Sequence, residues 1–114
     1  MKKILLAVVV IVLAGCASSI REVRDGEPFK TYSSSKPSKT VAECVLTGWQ
    51  ENTMRYGNIA IQPYGDGYAV LSGNALELAD IISKDSMTKV NFYYQTSLFD
   101  SRIKARTDVI EGCL

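Results

Sequence analysis

The sequence predicts an α+β domain: a four-stranded antiparallel meander bracketed by two helices that share one face, in the order α-β-β-β-β-α. Three observations predict it. Apolar residues recur at helical spacing in "KTVAECVLTGWQENTMRYGN"; alternating apolar residues separated by turn signals fill the stretch from Ile59 to Gln95; and helical spacing returns in "SLFDSRIKARTDVIEGCL". A helix at each end of a meander leaves both free to cover the same side of the sheet.

In the first helix Val41, Cys44, Val45, Gly48 and Trp49 fall at i, i+3, i+4, i+7 and i+8, one face of a helix. Thr40 followed by Glu43 has the form of a capping box, in which each side chain satisfies an unpaired N–H of the first turn. Gly57 is suited to the left-handed conformation that ends a helix. In "NIAIQPYGDGYAVLSGN", Ile59 and Ile61 alternate with Ala60 and Gln62, Gly65-Asp66-Gly67 turns the chain, and Tyr68 to Ser72 runs back as a second strand. Pro63 sits near a strand end, where a missing donor costs least.

"GNALELADIISKDS" supports two readings. Asn74 with Glu77 could cap a helix carrying Ala75, Leu78, Ala79 and Ile82. Gly73-Asn74 is also a hairpin signal, and Leu76, Leu78 and Ile82 share one face of a strand. The strand is preferred, with Asp80 facing inward at some cost or lying at an edge. Lys84-Asp85-Ser86 then turns into a last strand, where Val90, Phe92 and Tyr94 alternate with Lys89, Asn91 and Tyr93. Ser97 with Asp100 opens the final helix, whose Phe99, Ile103, Ile110 and Cys113 lie roughly on one face.

The N-terminus carries a different signal. Lys2 and Lys3 precede an apolar run of 11 residues, Ile4 to Ala14, closed by Gly15-Cys16. A basic start, a short apolar run and a small residue outline a secretory signal. The run is shorter than the ~20 residues a membrane span requires. Leu13-Ala14-Gly15-Cys16 resembles the lipobox of bacterial lipoproteins. The resemblance implies that residues 1–15 are a cleaved signal peptide and that Cys16 is acylated as the first residue of the mature chain. Two or more acyl chains hold a membrane stably where one does not. In that family an Asp just after the Cys retains the protein at the inner membrane. Ala17 and Ser18 stand here instead, similar to the outer-membrane pattern, which implies a lipid anchor in the outer membrane facing the periplasm.

With Cys16 given to lipid, Cys44 and Cys113 remain. In an oxidising compartment an even remainder reads as a disulfide, the alternative being two separate buried thiols. The bond would staple the first helix to the last. Beyond the lipobox, the order of elements and the cysteine spacing are similar to those of small two-cysteine envelope lipoproteins. Residues 16–38, rich in Ser and charge with Pro28 and Pro37, read as the lipidated Cys and a flexible tether. A rival reading docks Ile20, Val23 and Phe29 on the domain, which spans residues 39–114.

Composition narrows the function. Removing Lys2 and Lys3 from the 13 Lys and Arg leaves 11 against 12 Asp and Glu, a formal −1. A nearly neutral domain has no electrostatic footprint for nucleic acid. The chain has no His, so it lacks the usual general base and the commonest metal ligand. No catalytic residue, cofactor or metal site is expected. Glu77, Asp80 and Asp85 read as solvated positions, with a small hydrolase using Glu77 or Asp80 as the less favoured alternative. Arg102, Lys104 and Arg106 read as a solvated helix face, the alternative being contact with anionic headgroups or peptidoglycan. On the sheet side away from the helices, Lys89, Asn91, Tyr93 and Gln95 would form a polar-aromatic strip for an envelope protein or glycan partner. The leading expectation is a non-enzymatic, membrane-tethered binding or assembly-accessory module. The other is an exclusion or inhibitor lipoprotein of mobile-element origin that masks a receptor or blocks an enzyme.

Overall fold

Five strands, one more than the sequence predicts, form one antiparallel sheet. The computed structural model describes residues 20–51, 58–73, 75–95 and 100–114. Cys16, the helix-ending Gly57, and Asn74, Ser97 and Phe99 lie outside them. The elements are a helical segment α1 over residues 20–25, then β1 (Lys30–Ser34), α2 (Ser38–Gln50), β2 (Ile59–Tyr64), β3 (Gly67–Ser72), β4 (Glu77–Lys84), β5 (Met87–Tyr94) and α3 (Asp100–Cys113). The spatial order is β1-β5-β4-β3-β2, so the predicted meander is intact and β4 is its centre.

The added strand comes from the stretch expected to be a tether. Tyr32 pairs with Val90 and Ser34 with Thr88 along the free side of β5. "KTYSS" has one apolar side chain and no period-2 pattern; its strand character comes from its partner, as edge strands allow. The rival reading of this stretch is the one that fits: Ile20 and Val23 pack on the sheet, and Phe29 stacks edge-on against Phe92 and Tyr94.

Helix α2 starts two residues before the expected Thr40. Pro37 precedes its first turn, where a missing N–H is no loss, and its carbonyl accepts from Val41 N at 3.1 Å. No side chain caps this end, so the Thr40–Glu43 box is not used as predicted. Val41, Ala42, Val45 and Trp49 are buried, as the periodicity requires. Gly48 meets Val109 of α3 so closely that a Cβ there would collide with it, which lets the two helices pack tightly over the sheet.

Turn chemistry sets the register. Asp85 (φ 53°) and Ser86 (φ 64°) both take the left-handed conformation that a two-residue hairpin between Lys84 and Met87 demands. Gly65 (φ 52°) does the same between β2 and β3. A Cβ on Gly67 would strike the Ile81 carbonyl, so this position needs glycine for close approach. The segment with two readings is a strand, and its Asp80 lies in the central strand rather than at an edge.

One face of the sheet, with Val70, Ala79, Ile81, Val90 and Phe92, packs beneath α2 and α3. Cys44 and Cys113 are joined there, 69 residues apart in sequence. The chain end is fastened beside them. Ser34 Oγ donates to the Leu114 carbonyl at 2.8 Å, and Tyr32 Oη donates to Glu111 at 3.1 Å.

Closing a loop of 69 residues restricts the unfolded chain by about 4 kcal/mol in the chain-entropy estimate. The double variant Cys44→Ala/Cys113→Ala is therefore expected to lose about that much stability, read as a lower urea midpoint. Burial first, then the bond to Glu111, pushes the Tyr32 phenol from 10.0 up to about 12. A raised folded-state value favours the native state fully below the ordinary tyrosine range, and the contribution fades as pH climbs from 10 to about 12. Tyrosine absorbance at 295 nm should show a late-titrating component that Tyr32→Phe reduces, together with its share of the alkaline loss of stability.

Candidate functional site

Strand β4 alternates its side chains across the sheet, and this separates two acids that the sequence places close together. Glu77 lies on the face beneath the helices, with Ala79 and Ile81; Asp80 lies on the other, with Leu78. Both are buried, at 3% and 2% exposure, which corrects their reading as solvated positions. Asp85, in the β4–β5 turn, is exposed as expected. Glu77 and Asp80 therefore form no acid–base pair of the kind a small hydrolase would use.

Glu77 is held from α3. Its Oε1 accepts from Arg106 Nε at 2.9 Å and from Ser72 Oγ at 2.8 Å, and its Oε2 lies 2.8 Å from Arg102 Nε. Arg106 is 1% exposed, with its guanidinium carbon 5.0 Å from the centre of the Trp49 ring, while Trp49 Nε1 donates to the Arg106 carbonyl. The expected solvated arginine face is thus largely an interior ion cluster; only Lys104 stays in solvent, paired with Asp108 one turn on at 2.7 Å. Arginines four apart look alike on a surface and over a buried acid. The distinguishing signal was Glu77 at the mouth of an apolar strand, which needs a cation if it is to stay ionised.

On the opposite face Asp80 is held by α1. Arg24 donates from Nε and Nη2 to the two carboxylate oxygens, 2.9 Å each, in a bidentate pair. Its guanidinium carbon lies 3.7 Å from the Tyr64 ring centre. The hydrogen bonds to Asp80 raise the Arg24 pKa, while burial and the adjacent carboxylate raise that of Tyr93. Ile20 and Val23 pack over Ala69, Leu71, Leu78 and Tyr93. The segment crosses from Tyr64 and Gln62 near the β2–β3 turn to Tyr93 and Gln95 at the end of β5.

This covering segment changes the predicted strip. Lys89, Asn91 and Tyr93 do share this face, and Lys89 is exposed. Tyr93, however, is only 9% exposed because α1 lies over it, and Asn91 is half-buried opposite Asp80. Gln95 lies past the strand, where its amide donates to the Ala75 carbonyl at 3.0 Å. The strip is not an open platform. The apolar patch at its centre attracts the chain's own Ile20 and Val23, and Asp80 requires Arg24.

Among the described residues no three Asp, Glu or Cys side chains converge as metal ligands, and no helix is long and apolar enough to cross a membrane. Breaking a buried ion pair by neutralising one partner costs about 3–5 kcal/mol. Glu77→Gln is expected to fall in that range by urea unfolding, because it leaves Arg106 in the interior without its carboxylate.

No protein-family model, curated protein or solved structure matches this chain.

Proposed function

We propose that this chain is a lipid-anchored, non-enzymatic cell-envelope protein, acylated at Cys16 and held on the periplasmic side of the outer membrane. Its small domain serves there as a binding or assembly-accessory module for an envelope protein or peptidoglycan. The observation that carries the reading is the placing of a lipobox cysteine directly before a disulfide-bonded fold. Leu13-Ala14-Gly15-Cys16 closes a short apolar run, and the Cys44–Cys113 bond fits an oxidising compartment. Both buried acids are committed to arginines, which favours a binding module over an acid–base catalyst.

The docked α1 shortens the reach that a tether through residue 38 would give. Ile20 stands four residues after Cys16, and four residues of chain span at most about 14 Å. The anchored domain would lie close against its bilayer, not some 25 Å away as a flexible 22-residue tether would place it, by the ~5–6 Å × √n rule.

Intact mass of the protein extracted from membranes, before and after reduction and alkylation, tests the proposal. The expected species begins at Cys16 with three acyl groups and exposes two further thiols only on reduction. A mass that retains Met1 to Gly15, or lacks acyl groups, would overturn it.

A further inference from the structure

The cover over Asp80 has the features of a resident ligand. Residues 20–25 are helical and lie over the sheet face that carries Asp80. Residues 20–28 make no backbone hydrogen bond to the sheet among the described residues; the first is Phe29 N to the Phe92 carbonyl, at 2.8 Å. Arg21, Glu22, Asp25 and Glu27 are exposed. Among the described residues the side chains that hold the segment to the sheet are Ile20, Val23 and Arg24.

Beneath them is a recess built for a guanidinium. Asp80 supplies two carboxylate oxygens in the geometry of an arginine fork, and Tyr64 supplies a ring face. Directly opposite Asp80 in the register, the buried Asn91 Oδ1 accepts no hydrogen bond among the described residues, leaving one more acceptor at the site. Leu71 and Leu78 form an apolar floor for the neighbouring side chains. A cover needed only for stability would be served as well by a hydrophobic pair, which avoids the desolvation of two charges.

We propose that this face is a receptor for an arginine-bearing protein segment, with apolar residues one and four positions before the arginine, and that the chain's own Ile20-Val23-Arg24 occupies it until such a partner displaces it. This goes beyond the lipid anchor and does not depend on it, because the recess lies wholly within the folded domain. The resident segment acts at an effective concentration of about millimolar through its short link to β1. An isolated peptide therefore competes poorly with it; a partner that also engages a second surface of the domain competes well.

The test uses the full-length protein in whatever form the cell makes it and a fluorescein-labelled peptide, ASSIREVRDGEP, matching residues 17–28. Arg24→Gln in the protein removes the resident guanidinium and is expected to tighten peptide binding at least tenfold over the unaltered chain, read by fluorescence anisotropy. Adding Asp80→Asn, or placing Gln at the peptide position that matches Arg24, is expected to abolish that gain. Equal binding by Arg24→Gln with and without Asp80→Asn, or no gain in an Arg24→Gln protein with native far-UV circular dichroism, overturns the proposal. Hydrogen exchange on the unaltered protein provides a measurement that does not depend on any variant folding. Amides of residues 20–28 should open at least a hundredfold more readily than those of β4, and exchange of both only through global unfolding would overturn it.

Discussion

A carboxylate buried in the middle of a sheet must be given a cation or give up its charge, and strand β4 imposes that demand twice. Its period-2 geometry sends Glu77 to one side and Asp80 to the other, so one helix cannot answer both. Arg102 and Arg106 of the C-terminal helix meet the first, and Arg24 of the N-terminal segment meets the second. The layering of the molecule follows from this division. Elements from opposite ends of the chain converge on the central strand from its two faces, each led by guanidinium groups.

The helical face is further fixed covalently. The Cys44–Cys113 bond, the Gly48–Val109 approach and the Ser34–Leu114 hydrogen bond all join the last helix to elements before the meander. Among the described residues the other face has no such fastening. It carries there a small apolar cluster, one bidentate ion pair and one cation–ring contact. Interactions of that number open locally well below the free energy of global unfolding. The two sides of one sheet thus differ in kind: one is a stapled core, the other a surface with a detachable cover.

What was legible in the sequence was local. Val41, Val45 and Trp49 announced the helix that buries them, Asp85-Ser86 announced a hairpin, and Val90-Phe92 announced a strand facing the core. The preference for a strand over residues 75–82 agrees with β4, and its stated difficulty, Asp80 in an apolar run, was the clue to the second face. What was illegible depended on partners distant in the chain. Arg24 and Asp80 are 56 residues apart, Arg106 and Glu77 are 29 apart, and neither pairing leaves a period in the sequence. Strand β1 was missed for the same reason, since Ser-rich edge residues gain strand form only from the neighbour they pair with. The strip of Lys89, Asn91 and Tyr93 is legible as one face of the last strand, but its cover is not, because that cover comes from the Ser-rich, charged stretch before the domain.

The fork between Arg24 and Asp80 also has a mechanical meaning. A pull applied at Ile20 is borne first by that ion pair and the two apolar side chains beside it, and reaches the hydrogen-bonded ladder only at Phe29 and Lys30. The nine residues 20–28 can therefore pay out as slack, up to about 30 Å of extended chain, before any strand is loaded. Beyond that point the load enters a sheet whose opposite side is cross-linked. The molecule yields under small forces at its N-terminal margin and resists larger ones with its fold intact.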